Sequence, residues 1–333
     1  MRIAVDAMGG DYAPLEIVKG AFTAVETVPE LEVLLVGRAE QIESLSGRIL
    51  KSSRIHIIHA EEIIGNEEDP GMAIRSKKKA SMVVAMQLVR RGEADAVISC
   101  GNTGALMAGG VLFLGRIPGI KRPALLTVMP PLRGERTVIL DVGANMDARP
   151  EQMLQYALMG SIYAREILGK ASPRVALLNV GVEENKGNQQ VKQVYGLFQQ
   201  KVRSFVGNLE AKDIFDNRAD VVVCDGFAGN VMLKAMEGIS RELLLYLNAR
   251  IRGDAEARTA LPLLSPLLQR VRADLDEAEY GGAMLIGVNG VCIKCHGASK
   301  EQTVAQTLIR QALPLVQREI SKKIDLALAG GIV

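Results

Sequence analysis

The 333-residue sequence predicts an α/β fold, a mostly parallel sheet with helices on both faces, from which a helical hairpin protrudes. Three observations lead there. Apolar runs of strand length alternate with apolar positions at helical spacing. A polar, glycine-bearing loop joins each run to the helix after it. One stretch, 237–280, stays helical far longer than any other.

Taken in order, "RIAVDAMGGDYAP" leads into "LEIVKGAFTAVETV", and "DAVISCGNTG" into "ALMAGGVLFLGRI". "TVILDVGANMDARP" precedes "EQMLQYALMGSIYAREIL", and "RVALLNVGVEENKGN" precedes "QQVKQVYGLFQQKV". "ADVVVCDGFAGN" opens "VMLKAMEGISRELL", and "GVCIKCHGASK" opens "EQTVAQTLIRQAL". "LEVLLVG" and "RIHIIHA" add two further strands. Runs that are apolar throughout suit strands buried on both faces, as in a parallel sheet. With 48% hydrophobic residues and no Ser- or Pro-rich linker, residues 1–333 read as a single α/β domain with the 237–280 hairpin inserted.

The longest uncharged run, "AVISCGNTGALMAGGVLFLG" (96–115), has the length of a membrane span. Ser99, Asn102, Thr103 and five glycines divide it into strand, loop and buried helix. The start, "MRIAVDAMGG", reads as a strand and not as an apolar signal segment, so a cytoplasmic location is expected. Forty Lys+Arg against 38 Asp+Glu, 4% aromatics and no Trp give no nucleic-acid signature. The four cysteines are expected as free thiols. Cys292 and Cys295 spell C-x-x-C on a strand, where positions i and i+3 face opposite ways, so both belong to the core.

In open parallel sheets, ligands bind beyond the carboxyl ends of the strands. The six glycine loops are therefore expected along one rim. They would bring Asp6, Asp11, Asn102, Thr103, Asp141, Asn145, Glu183, Lys186, Asp225, Asn230 and His296 together there. Gly9, Gly10, Gly104, Gly226 and Gly229 would let main-chain N–H groups and helix N-termini approach an anion. Each loop alone also reads as a tight turn with a capping side chain. No phosphate loop of the G-x-x-x-x-G-K-[ST] type, no G-x-G-x-x-G and no G-x-S-x-G elbow is present. His56 and His59 lie in an ordinary strand, and His296 has no second histidine nearby in sequence, so no metal site is expected.

In the hairpin, "TALPLLSPLLQRV" (259–271) places Leu261, Leu263, Leu264, Leu267 and Leu268 beside Arg258, Arg270 and Arg272. Pro262 and Pro266 are expected to interrupt the helix there, giving an apolar tip. A membrane surface, a subunit interface and an acyl chain all fit such a tip.

Five stretches, "VDAMGGD" (5–11), "SCGNTGALMA" (99–108), "LDVGAN" (140–145), "DGFAGNVMLK" (225–234) and "YGGAMLIGVNG" (280–290), resemble those of the PlsX family. Its members are the bacterial acyl-acyl-carrier-protein:phosphate acyltransferases of phospholipid synthesis. The resemblance runs in register from about residue 2 to about 320. Two positions depart from the family pattern: Ala228 stands where it usually has Thr, and Val182 follows Gly181 where it commonly has Glu.

The resemblance implies a fold akin to phosphotransacetylases and the isocitrate dehydrogenase-like group. It also implies transfer of a long fatty acyl group from acyl carrier protein to inorganic phosphate, with no covalent enzyme intermediate, metal or cofactor. On that reading Asn102, Thr103 and Gly104 cradle phosphate or the oxyanion. Asn230 and Gly229 polarise the thioester carbonyl, Lys186 pairs with phosphate, and His296 assists the thiolate or positions phosphate. Asp6, Asp141 and Asp225 would orient these groups. The implied partners are acyl carrier protein, phosphate, the inner membrane surface through Leu263, Leu264, Leu267 and Leu268, a second copy of the chain, and a membrane acyl-phosphate:glycerol-3-phosphate acyltransferase. A short-acyl coenzyme A phosphotransacetylase and a membrane-associated scaffold are the alternatives. The basic run "RSKKK" (75–79) fits either an acidic carrier protein or a solvated helix face.

Overall fold

The alternating apolar runs build one twisted sheet. The computed structural model describes residues 1–45, 52–275 and 282–330. In chain order the strands are β1 (Arg2–Asp6), β2 (Glu32–Gly37), β3 (Ile55–His59), β4 (Ala96–Ser99), β5 (Ala124–Met129) and β6 (Thr137–Leu140). They continue with β7 (Val175–Asn179), β8 (Phe205–Glu210), β9 (Val221–Val223), β10 (Ala283–Ile286) and β11 (Val291–Lys294). Their order across the sheet is β3-β2-β1-β4-β11-β10-β5-β6-β9-β7-β8. All neighbours are parallel except β11–β10, β10–β5 and β5–β6.

Alternate residues of each strand feed opposite faces, as the period of two requires. Ile3, Val5, Val33 and Leu35 enter one core with α1 (Leu15–Thr27), α2 (Ala39–Ser44), α6 (Pro150–Leu168) and α7 (Gln189–Lys201). Ala4, Leu34 and Val36 enter the other with α3 (Pro70–Ser76), α4 (Ser81–Arg90) and α5 (Thr103–Gly109). Helices on both faces are thus found as expected. Cys292 and Cys295 fall in opposite cores, both buried. The 96–115 run resolves into β4, a loop and α5 with a wider π turn at Gly110–Leu114. Among the described residues no helix is long and apolar enough to cross a membrane.

Two expectations need correction. The six loops do not share one edge. Because β10 and the pair β5–β6 reverse direction, the carboxyl ends of β1, β4 and β11 point one way and those of β6, β7 and β9 the other. The hairpin also differs. Its first helix, α8, begins at Gly226 and runs to Gly253, and the second, α9 (Ala255–Leu275), carries Pro262 and Pro266 inside it. The turn falls instead at Asp254, whose Oδ1 accepts the Ala257 N–H at 2.8 Å and starts α9. The prolines are exposed, so the carbonyls they leave unpaired face solvent. The end of the expected hairpin, 276–280, and the side chain of Arg272 lie outside the described residues.

Candidate functional site

Three loops lock together at the edge formed by β1, β4 and β11. Asp6, 2% exposed, accepts the Ser99 hydroxyl on Oδ2 at 2.6 Å and the Met8 N–H on Oδ1 at 3.3 Å. Ser99 Oγ in turn accepts the Gly101 N–H at 3.0 Å. Burial pushes the Asp6 carboxyl above its ordinary pKa, and these hydrogen bonds offset part of the rise. The Asp11 N–H donates to the Gly297 carbonyl at 2.8 Å, and the Cys295 N–H to that of Ser99 at 2.9 Å. Gly10 lies at φ +107°, between Cys100 and Gly297. Asp6, Gly9, Gly10, Asp11 and His296 are therefore brought together.

Asn102 caps α5 by accepting the Ala105 N–H at 3.0 Å. Its amide N–H groups donate to the carbonyls of Gly65, Asn66 and Glu68 at 3.3, 3.1 and 3.3 Å. The side chain pins the 65–68 loop over α5 and has no amide hydrogen left for an oxyanion. Gly104 faces Pro70, where a Cβ would come within 2.6 Å of the ring, so that glycine serves the α3–α5 contact. Thr103 is exposed beside it.

The second group sits at the ends of β6 and β9. Asp141 is fully buried and takes five N–H groups: Leu125, Gly143 and Ala144 on Oδ1 at 3.1, 3.0 and 2.8 Å, and Asn145 N and Nδ2 on Oδ2 at 2.7 and 2.9 Å. Burial raises its pKa and these donors counter the rise. With its lone pairs so occupied, Asp141 organises the loop and does not orient Lys186. Asn145 receives the Gly226 N–H on its carbonyl at 2.8 Å. Asp225 caps α8 through the Ala228 N–H at 2.8 Å. Gly229 passes so near the Asp141 carbonyl that a Cβ would lie 2.0 Å from its oxygen, so only glycine fits there. Asn230 faces Gly143, and its amide makes no hydrogen bond among the described residues.

Glu183 and Lys186 are exposed in the loop after β7, at the same edge as the ends of β6 and β9. The Glu183 carbonyl accepts the Lys186 N–H at 3.2 Å and the Asn208 amide at 2.9 Å. The Lys186 ammonium has no ion pair among the described residues.

Helix α8 links the two main groups. It starts beside Asp141 and carries Lys234, one turn after Asn230, toward β11. There Lys234 acts electrostatically on both Lys294 and His296. His296 accepts the Ala298 N–H on Nδ1 at 3.2 Å, which leaves the Nε2 proton outward in the neutral ring. Burial, then the Lys234 charge, hold this imidazole below its ordinary pKa. Ser99, Lys234, Lys294 and Ser299 were not foreseen as site residues. Lys294, a lysine closing an apolar strand, left a trace in "VCIK"; Lys234, a solvated-looking position of a helical pattern, left none.

A large α/β sheet with interlocked glycine loops at its strand ends defines a fold of the phosphotransacetylase type. Compared with solved structures, the chain superposes on a phosphotransacetylase from Streptococcus pyogenes with TM-score 0.62 at 17% identity, covering 96% of this chain and 94% of that one. A branched-chain phosphotransacylase from Enterococcus faecalis V583 gives TM-score 0.56 at 15% identity, over 95% and 99%. Residues 1–323 match the family described as fatty acid synthesis protein, and the chain belongs to that family. It is 50% identical over 310 residues to a phosphate acyltransferase of Heliobacterium modesticaldum, covering 92% of each chain, and 46% identical over 320 residues to one of Bacillus cereus, covering 96% of each.

Proposed function

We propose that the protein is a phosphate acyltransferase that moves a long-chain acyl group from acyl carrier protein to inorganic phosphate. The observation that carries this reading is the near-half identity to phosphate acyltransferases along almost the whole chain. The site chemistry supports it. A hydrogen phosphate oxygen attacks the thioester carbon, a C–O bond forms, and the C–S bond breaks as the tetrahedral oxyanion collapses. The proton of hydrogen phosphate ends on the departing sulfur, giving acyl phosphate dianion and free thiol. Phosphate is the nucleophile, so no Ser or Cys elbow is needed. What the protein supplies is positioning and oxyanion stabilisation. The unoccupied Asn230 amide near the start of α8 suits the oxyanion, and His296 Nε2 suits the phosphate or the thiolate.

The carrier-protein donor, a homodimer, contact with the inner membrane face and hand-over to a membrane acyl-phosphate:glycerol-3-phosphate acyltransferase belong to the same proposal. Leu263, Leu264 and Leu267 are 86%, 45% and 52% exposed, which favours a partner surface over core for the α9 leucines. The run 75–79 is less available to an acidic carrier than its sequence suggests, since Lys77 pairs with Glu68 at 2.6 Å and Lys79 with Glu61 at 3.1 Å. The phosphotransacetylase-type fold favours short acyl-coenzyme A as the second reading of the donor.

The deciding experiment offers palmitoyl-carrier protein and acetyl-coenzyme A separately, with and without phosphate. Acyl phosphate is trapped with hydroxylamine and released thiol is counted. Phosphate-dependent release, with one trapped acyl phosphate per thiol and preference for the carrier-bound long chain, is expected. Thiol release indifferent to phosphate would overturn the reading.

A further inference from the structure

We propose that the phosphate acceptor binds at the corner after β11, between Lys294, His296 and Ser299. This rests on the reading of phosphate as acyl acceptor. Ser299 is 3% exposed, its N–H is bound to the His296 carbonyl at 3.1 Å, and its hydroxyl has no hydrogen-bond partner. A buried hydroxyl without a partner is unfavourable, and an anion oxygen would accept from it. Lys294 ends β11 in register with Ser99. Its ammonium donates to the Cys295 carbonyl, and among the described residues no carboxylate pairs with it. A half-buried cation with no ion-pair partner among the described residues favours a ligand dianion for the same reason that it disfavours isolation. The outward Nε2 proton of His296 adds a third donor on the same loop.

The other candidate groups are placed less well. Asn102 has spent its amide hydrogens on three carbonyls, and Lys186 stands exposed at the opposite edge. The carboxylates felt at His296 are Glu237, which Lys234 holds at 2.5 Å, and the exposed Asp11. Asn230 precedes Lys234 by one helical turn on the same face of α8, about 6 Å along the axis.

The test titrates inorganic phosphate into the full-length protein by calorimetry and measures KM for phosphate and for the acyl donor separately. Lys294→Met should weaken phosphate binding about tenfold or more, the loss of one charge-assisted contact, and raise the phosphate KM in step. The acyl-donor KM should stay within about twofold, since no carbonyl or acyl contact is removed. Lys294→Arg should recover part of the binding, and Lys186→Met should leave it unchanged. Ser299→Ala, which adds no volume to the core, should weaken phosphate by a few-fold and guards against a Lys294 variant that fails to fold. Unchanged phosphate affinity in folded Lys294→Met and Ser299→Ala proteins would overturn the site while leaving acyl transfer to phosphate standing. Tight phosphate binding lost in Lys294→Met, in a protein that makes no acyl phosphate, would instead keep the site and overturn the activity.

Discussion

Asp141→Asn tests the reasoning about the loop that carries Asn230. The carboxylate accepts three N–H groups on one oxygen and two on the other. An asparagine can keep its oxygen toward Leu125, Gly143 and Ala144. Its NH₂ then points at two Asn145 donors, and two charge-assisted hydrogen bonds become donor–donor contacts. Hydrogen bonds to charged groups contribute ~1.5–3 kcal/mol each, and relief from burying a charge returns part of that. A net loss of about 2–4 kcal/mol follows, large for one substitution. At about 2 °C per kcal/mol for a chain of this size, the Tm should fall about 4–8 °C in a thermal melt. Asp225→Asn is the control, because Asp225 uses one oxygen as a helix cap and asparagine caps as well as aspartate. That variant should lose less than about 1 kcal/mol, mainly the charge beside the helix N-terminus. Equal melting temperatures for the two variants would refute the claim that five donors make Asp141 special.

Asn102→Asp keeps the cap on Ala105 but sets a carboxylate against the carbonyls of Gly65, Asn66 and Glu68; the 65–68 loop should become readily cleaved by protease while the phosphate KM stays within about twofold. His296 should titrate below its ordinary value in the free protein, readable by NMR because the chain has only three histidines, and saturating phosphate should move the titration upward. The groups facing it are Lys234 and Glu237 from α8, and Lys294 and Asp11 from the strand edge. Since the folded value is depressed, its contribution to stability is present above the unfolded pKa near ~6.5 and is lost as pH falls through the folded value. Replacing Leu263 and Leu267 with Glu should release the protein from anionic vesicles in a flotation assay and leave acyl-phosphate formation in solution intact; continued flotation would exclude α9 as the anchor, and a monomeric, inactive product would assign the leucines to a subunit interface.

Six of the strands that sequence patterning finds are followed by a glycine loop and a helix, and β2 and β3 are found as apolar runs alone. β5, β8 and β10 escape it for separate reasons. "ALLTVM" is flanked by Pro123 and Pro130, "FVGNLE" carries Gly207 at φ +97° and a register shift against β7, and "AMLI" runs through a short turn into β11 and not into a helix. Missing β5 and β10 hides the reversal of direction, and with it the division of the loops between two edges. The candidate site is legible only in part for the same reason. Asp6, Asp141 and Asp225 stand out as acids at strand ends, yet their work in the structure is to hold main-chain N–H groups and a serine hydroxyl. Asn102 reads equally as cap or as anion donor, and only its three carbonyl partners separate the two. Lys234 acts electrostatically on Lys294 and His296 from a helix some sixty residues away in sequence, a fact of tertiary arrangement that no local pattern contains.

The sheet order also constrains how the chain can assemble. β4 and β5, which follow one another in sequence, are not neighbours; β11 and β10, formed from residues 283–294, lie between them. A chain emerging from the ribosome can pair β3, β2, β1 and β4 as one half and β5, β6, β9, β7 and β8 as another, but each half keeps an open edge until its last quarter arrives. Ala96 waits for Val291, and Leu126 for Met284. Such distant pairings slow folding, and open edges invite association between unfinished chains. The C-terminal hairpin is the keystone of the sheet, and the loop that bears Lys294, His296 and Ser299 is set only when that keystone closes.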